Sequence, residues 1–245
     1  MANSSTITLL QSMEWCKKFV FNRQLSLGDF KEPLVSSANI IKQTILGPPF
    51  RWRWNRQIVT FNTIAPNPSN IGVQDYSVAS NFGWIENASV QDTGATPSKW
   101  YQMEPKIDLA LDTSKARPQF ISGQLDDGAG NITFRLMPIP DKVYPISVTV
   151  QNKAALFTSL NQTWSPIPDE YSYIYQVGLL SYMYEFADDA RWVGARQRFV
   201  AALLGANQGL TDTELNIFLN NWQFVSGNPI SNQIQLSQGN EARGR

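Results

Sequence analysis

The sequence predicts an α+β protein: an antiparallel helical bundle, a β-sandwich or barrel-like domain inserted into it, and an extended C-terminal tail. Three observations point there. Apolar residues recur at helical spacing before residue 50 and again after Pro168. Between Phe50 and Gln151 the period drops towards two, with Gly, Pro, Asn and Asp punctuating it about every eight to twelve residues. After Ser226 the chain is polar, relieved only by Ile230, Ile234 and Leu236. The expected organisation is residues 1–49 for the N-terminal helices, 50–151 for the β-rich insertion, 152–225 for the C-terminal helices and 226–245 for a tail, extended or disordered.

In chain order, Leu9, Met13, Cys16 and Val20 form a first helical stripe, widened by Leu10 and Phe19, with Thr6 or Thr8 as its cap. Leu34, Ala38, Ile41 and Ile45 form a second after Pro33, stopped by Gly47 and Pro48-Pro49. Strands are predicted over Trp52–Ile64, Tyr76–Glu86, Lys99–Leu111, Ile132–Met137 and Val143–Val150, and Pro145 places the start of the last at an edge. Helix returns at Tyr171, with Ile174, Met183 and Phe186 on one face. Its tyrosines, Tyr171, Tyr173, Tyr175, Tyr182 and Tyr184, lie on more than one side, which predicts burial on more than one side. Trp192, Ala195, Phe199 and Leu203 carry the next helix. Thr211-Asp212-Thr213-Glu214 fits a capping box ahead of Leu215, Phe218, Leu219 and Trp222.

Composition removes many functions. Among 245 residues there are 20 Lys+Arg and 20 Asp+Glu, so no bulk field draws in nucleic acid or an anionic membrane. Charged residues are 16%, against about 25% in typical domains, and Asn, Gln, Ser and Thr, 72 in all, fill the difference. Without histidine, and with Cys16 as the single cysteine, there is no Ser-His-Asp or Cys-His catalysis, no Cys/His zinc site and no intrachain disulfide. Met1–Thr8 carries no positively charged residue and no apolar run reaches the roughly 18 residues of a spanning helix, so the expected compartment is a cytoplasm. Phosphate-binding glycine motifs are absent.

Paired carboxylates remain as acid–base candidates: Asp126-Asp127 in a Gly-rich loop, Asp188-Asp189 between helices, and Asp169-Glu170 at a helix start. Each has a structural explanation, and Asp126-Asp127-Gly128 lacks the spacing of a calcium loop. The most unusual string is Arg51-Trp52-Arg53-Trp54-Asn55-Arg56. On a strand, Trp52 and Trp54 share one face and Arg51 and Arg53 the other. Core packing, a subunit interface and ligand stacking all use such residues. Arg51, Trp52, Arg53, Trp54 and Arg56 are therefore the candidate interface residues.

The ordered set resembles the head-to-tail connectors of tailed bacteriophages, the adaptor or gatekeeper family that includes tail tubular protein A-like members. The set is the Leu34–Leu46 helix running into Phe50-Arg51-Trp52-Arg53-Trp54, the strands at 132–141 and 144–150, Ile167-Pro168-Asp169-Glu170-Tyr171 opening a helix that ends at Ala187–Ala190, and a helix with Trp192 and Phe199. The likeness covers about residues 7 to 205. It implies a structural, non-enzymatic protein without cofactor or metal, forming a homo-oligomeric ring, a dodecamer, between the portal protein and a tail or nozzle protein. Double-stranded DNA would pass through the lumen without sequence-specific binding, which a chain with few charges suits. It implies a place in the virion neck, with assembly in the host cytoplasm. Ile230, Ile234 and Leu236 are the candidate portal-contacting residues of the tail. The alternative is a carbohydrate- or receptor-binding β module using Trp52, Trp54, Trp84 and Trp100 as a stacking platform.

Overall fold

Thr8 fixes where the first helix begins: its Oγ1 accepts from the Gln11 N–H at 3.2 Å, and the Gln11 side chain accepts from the Thr8 N–H at 2.9 Å. This capping box satisfies two amides that a helix start leaves unpartnered. The computed structural model describes residues 5–20, 34–66, 72–94, 96–111, 113–126, 130–207 and 209–226. The chain divides into two compact units, Met1–Trp54 with Ala155–Arg245, and Asn55–Ala154.

The first unit is helical. Helix α1 (Leu9–Lys17) buries Leu9, Met13 and Cys16, with Val20 buried just beyond its end. Helix α2 (Leu34–Leu46) buries the whole expected stripe, Leu34, Ala38, Ile41 and Ile45. It stops at Gly47, whose N–H reaches the Gln43 carbonyl at 2.7 Å, and a Cβ there would lie 2.7 Å from that same oxygen. Helices α3 (Ser172–Phe186), α4 (Trp192–Ala206) and α5 (Asp212–Ser226) complete the described set.

Helix α3 packs against α1, α2 and α4. Its buried residues, Ile174, Tyr175, Gly178, Leu179, Ser181, Met183 and Tyr184, wrap most of its circumference, as the spread of its tyrosines predicts. Tyr175 and Tyr184 are the buried tyrosines of the group, while Tyr173 is exposed. Gly178 is where α3 comes closest to its neighbours: an added Cβ would sit 3.0 Å from the Phe199 ring and 3.2 Å from Ile41.

The second unit is a sheet of seven strands in the order β1-β7-β3-β4-β5-β6-β2. The strands are β1 (Arg56–Asn62), β2 (Asp75–Ala79), β3 (Phe82–Asp92), β4 (Lys99–Pro105), β5 (Phe120–Asp126), β6 (Asn131–Met137) and β7 (Pro145–Asn152). Every pairing is antiparallel except β4 with β5, which run parallel and are joined by residues 106–119, with no helix among the described ones. The sheet curls until its edge strands approach. Phe61 of β1 stacks on Tyr76 of β2 at 5.4 Å, and the Tyr76 hydroxyl accepts from the Ile64 N–H at 3.2 Å. The result is a nearly closed barrel filled by Val59, Ala88, Val90, Met103, Ile121, Ile132, Phe134, Leu136, Ile146, Val148 and Val150.

Three strand expectations need correction. The predicted strand 52–64 starts only at Arg56, because Arg53–Asn55 form a 3₁₀ turn. The predicted strand 76–86 is two strands: the chain leaves β6 after Ala79 and joins β7 and β4 from Phe82. The predicted strand 99–111 ends at Pro105. Strand β5 was not expected, since Gly123 breaks its alternation. A side chain there would meet the Phe82 ring at 2.9 Å. Pro145 opens β7, a central strand, but the β3 ladder begins only at Ile146, so the proline faces no lost bond on that side.

Candidate interface site

The string Arg51–Arg56 divides between the two units. Its first four residues belong to the helical unit and Arg53–Asn55 form a 3₁₀ turn, so the strand pattern with tryptophans on one face and arginines on the other does not form. Trp52 and Trp54 nevertheless meet, stacked at 5.2 Å, because the 3₁₀ turn coils them together. Trp52 is buried; its Nε1 donates to the Ile45 carbonyl at 2.5 Å, which ties the turn to the end of α2. Tyr171, just ahead of α3, packs edge-on against Trp52 at 5.4 Å and lies 5.9 Å from Trp54. Trp54 is half-buried, and its Nε1 is shielded with no hydrogen-bond partner among the described residues.

Arg51 is held on both sides of its Cα. Its carbonyl accepts from Asn207 Nδ2 at 3.3 Å, and its guanidinium forms a two-point ion pair with Glu214, with Nη1 3.3 Å from Oε2. Glu214 also closes the capping box of α5, accepting from the Thr211 N–H at 2.9 Å while its own N–H donates to Thr211 Oγ1 at 3.3 Å. The Arg51 guanidinium, against the opposing effect of burial and helped by Thr211, holds the Glu214 carboxyl down at about 2. Phe50, fully buried, sets its ring edge-on to Phe218 of α5 at 4.9 Å. Arg53 is exposed and makes no ion pair among the described residues. Arg56 lies in the β unit, where Nε donates to Glu86 Oε2 at 2.7 Å, and Gln151 Nε2 donates to the same oxygen at 2.9 Å.

The structure thus gathers Arg51, Trp52 and Trp54 into one aromatic and ionic cluster, and places Arg56 in a separate unit. Ile230, Ile234 and Leu236 lie outside the described residues. Of the alternative stacking platform, Trp52 is buried in the helical unit. Trp84 and Trp100 belong to the β unit, where the register sets them near opposite ends of β3. Asn207 and Glu214 were missed as partners of Arg51. The capping box at Thr211 was readable, but nothing local to it signals an arginine so far back in the chain.

Two of the paired carboxylates, Asp169 and Asp189, have structural roles. Asp169 accepts from Ser5 Oγ at 2.7 Å, Thr6 Oγ1 at 2.6 Å and the Thr6 N–H at 3.1 Å, which clamps the segment ahead of α1. Although burial opposes it, these bonds keep its carboxyl below the usual carboxylate range. Asp189 grips Arg191, with Oδ1 3.0 Å from Nε. Asp127 and the side chain of Asp126 lie outside the description. Among the described residues no group of three or more His, Cys, Asp or Glu is gathered to hold a metal.

No curated protein matches the chain. The model of one family, the SU10 adaptor protein, matches residues 50–217, from the buried Phe50 at the head of the turn, through the whole barrel and helices α3 and α4, into α5. On that match, which carries the sequence resemblance to phage head-to-tail connectors, the chain belongs to the SU10 adaptor protein family.

Proposed function

We propose that copies of this chain form a ring between the portal protein and a tail or nozzle protein of a bacteriophage, joining head to tail while double-stranded DNA passes through the lumen. The supporting observation is the family match over residues 50–217, which takes in residues of both units of the fold rather than one shared module. The ring is dodecameric in this reading. Repeated head-to-tail contacts close when the rotation per copy closes. The even charge balance, 20 against 20, leaves no basic surplus to hold DNA phosphates in the lumen. Ile230, Ile234 and Leu236 are assigned to the portal contact. The protein acts in the virion neck after assembly in the host cytoplasm, and it performs no chemistry.

The test is to mix the full chain with the portal protein and determine the mass and symmetry of the complex by native mass spectrometry and electron microscopy. A discrete ring of added copies on the portal is the expected result. A chain that stays monomeric beside the portal at every concentration would remove this reading. Shortening the chain after Ser226 should weaken portal binding and leave the melting midpoint unchanged.

A further inference from the structure

The connection from β4 to β5 is a strap. Three side chains hold it, one from β5, one from β6 and one from the residue ahead of β2. Ser122 Oγ donates to the Ile107 carbonyl at 2.9 Å, Arg135 Nη1 to the Leu109 carbonyl at 3.0 Å, and Gln74 Nε2 to the Ala110 carbonyl at 3.4 Å. Ser122 and Arg135 are register neighbours. Asp75, opposite Arg135 on β2, fixes the guanidinium through bonds of 2.7 and 2.8 Å. From Ile107 to Leu111 the strap therefore alternates like a strand; it pairs like one farther on, in an isolated bridge between Lys115 and Ile139. Leu109 is turned inward at 7% exposure, while Ile107 and Leu111 stand outward at 99% and 78%. Because the backbone between them is already pinned, these two aliphatics are presented to a partner with little further loss of chain entropy.

The strand order puts β6, at the middle of the strap, across the barrel from β7 and β3. Ile58 of β1, 67% exposed, is in register with Thr149 of β7, and Thr149 with the exposed Asn87 of β3. Next to this row stands Arg56. Its partner Glu86 lies beneath it, with side-chain exposures of 38% and 6%, so the face shows solvent the cation of that pair. On the strap Asp108, beside Ile107, is exposed, and its charge also bears on Arg135, a guanidinium that Asp75 already holds. The registers β1–β7, β7–β3 and β3–β4 place the Arg56 row at the end of the barrel where β4 finishes and the strap begins.

We propose that the strap of one copy docks on the β1–β7–β3 outer face of the next copy, with Ile107 and Leu111 against Ile58 and Thr149, and Asp108 facing Arg56. This rests on the ring reading above and names the lateral contact of that ring. Opposite sides of one barrel give a head-to-tail contact, which repeats from copy to copy instead of ending at a dimer. Two aliphatics and one charge pair are far below the area of a stable isolated dimer. The contact therefore forms when copies are held side by side on a common support.

The experiment uses the full chain carrying both Ile58→Cys and Ile107→Cys, assembled on the portal protein and treated with a short bismaleimide; the native Cys16 is buried and out of reach. A ladder of covalent multimers is expected, with dimers alone from a mixture of the two single-cysteine chains. A ring that forms without a ladder overturns the contact and leaves the ring reading standing, whereas a chain that forms no ring overturns both. In parallel, the double variant I107E/L111E should reduce ring yield at least tenfold with an unchanged melting midpoint. An undiminished yield would count against the strap.

Discussion

The two units hold themselves together over different distances along the chain. In the helical unit, the side-chain hydrogen bonds that matter join residues far apart: Ser5 to Asp169, Ser12 to Trp164, Arg51 to Glu214 and Asn39 to the Phe157 backbone, separations of 164, 152, 163 and 118. The β unit is one unbroken stretch, Asn55–Ala154, and its longest described clasp, Asn55 Nδ2 to the Asn152 carbonyl at 3.1 Å, spans 97. Closing long loops costs entropy before the contacts reward it. The helical unit cannot close its core until both flanks of the chain are present. The barrel needs only its own residues. One unit depends on chain ends meeting, the other on register.

The largest effects should show whether the units are separately cooperative. Trp164 is fully buried, stacked on Tyr175 at 4.2 Å, edge-on to Phe157 at 4.9 Å, and donates from Nε1 to Ser12 Oγ at 2.9 Å. Trp164→Ala should cost about 3–5 kcal/mol. Phe134, at 0% exposure between Phe61 at 5.9 Å and Phe82 at 5.8 Å, is its counterpart in the barrel, and Phe134→Ala should cost a similar about 3–5 kcal/mol. In calorimetry each variant should lower a different transition. A single transition displaced equally by both would erase the distinction between the units.

Gly178→Ala tests the helical side from the opposite direction, by adding volume. The Phe199 ring at 3.0 Å and Ile41 at 3.2 Å leave no room for a methyl, so α2 or α4 must move and the cost should be about 1–3 kcal/mol. Helix propensity alone would make the same change stabilising by roughly 1 kcal/mol. The sign of the shift in melting midpoint therefore decides whether packing or propensity rules at this crossing.

A smaller effect, about 1 kcal/mol, is expected for Glu214→Gln, which keeps the shape of the capping box but loses the charge that Arg51 binds. The sign of its pH dependence is fixed. The folded-state value of Glu214, about 2, lies below its ordinary 4.5, so its contribution is fully present above pH 4.5 and is lost as pH falls through 2. Asp169 adds to acid sensitivity in the same direction, since its carboxyl is also lowered. Denaturant melts between pH 5 and 2 should show stability falling, and less steeply in the Glu214→Gln variant. Equal slopes would mean that the Arg51 pair contributes nothing.

Much of this was legible in the sequence where the signal is local. The α1 cap at Thr8 and the capping box at Thr211 each join residues three positions apart, the α2 stripe ending at Gly47 steps by three or four, and each formed. What failed was set by distant partners. Trp52 and Trp54 alternate like a strand, yet the turn at Arg53–Asn55 stacks them because Ile45 and Tyr171 wait on that side. The break between β2 and β3 falls inside an apparently continuous run because the two halves pair with different strands. The candidate residues divided in the same way. Arg51 found Glu214 and Asn207, and Arg56 found Glu86, none of them within reach of a periodicity argument.

The smallest predicted effect concerns the strap and gains its force from a neighbour two residues away. If the strap is pinned through the Ile107, Leu109 and Ala110 carbonyls, side chains on its two faces must answer differently to the same truncation. Leu109→Ala removes a side chain at 7% exposure and should cost about 2 kcal/mol, near the lower end for a buried leucine. Ile107→Ala removes one at 99% exposure, and a surface change of this kind should stay within about 0.5 kcal/mol. Both belong to the barrel, so both should be read on its transition and neither on that of the helical unit. Equal costs at the two positions would mean that the alternation is not held in solution, and a loop free to turn Ile107 inward would present nothing to a neighbour.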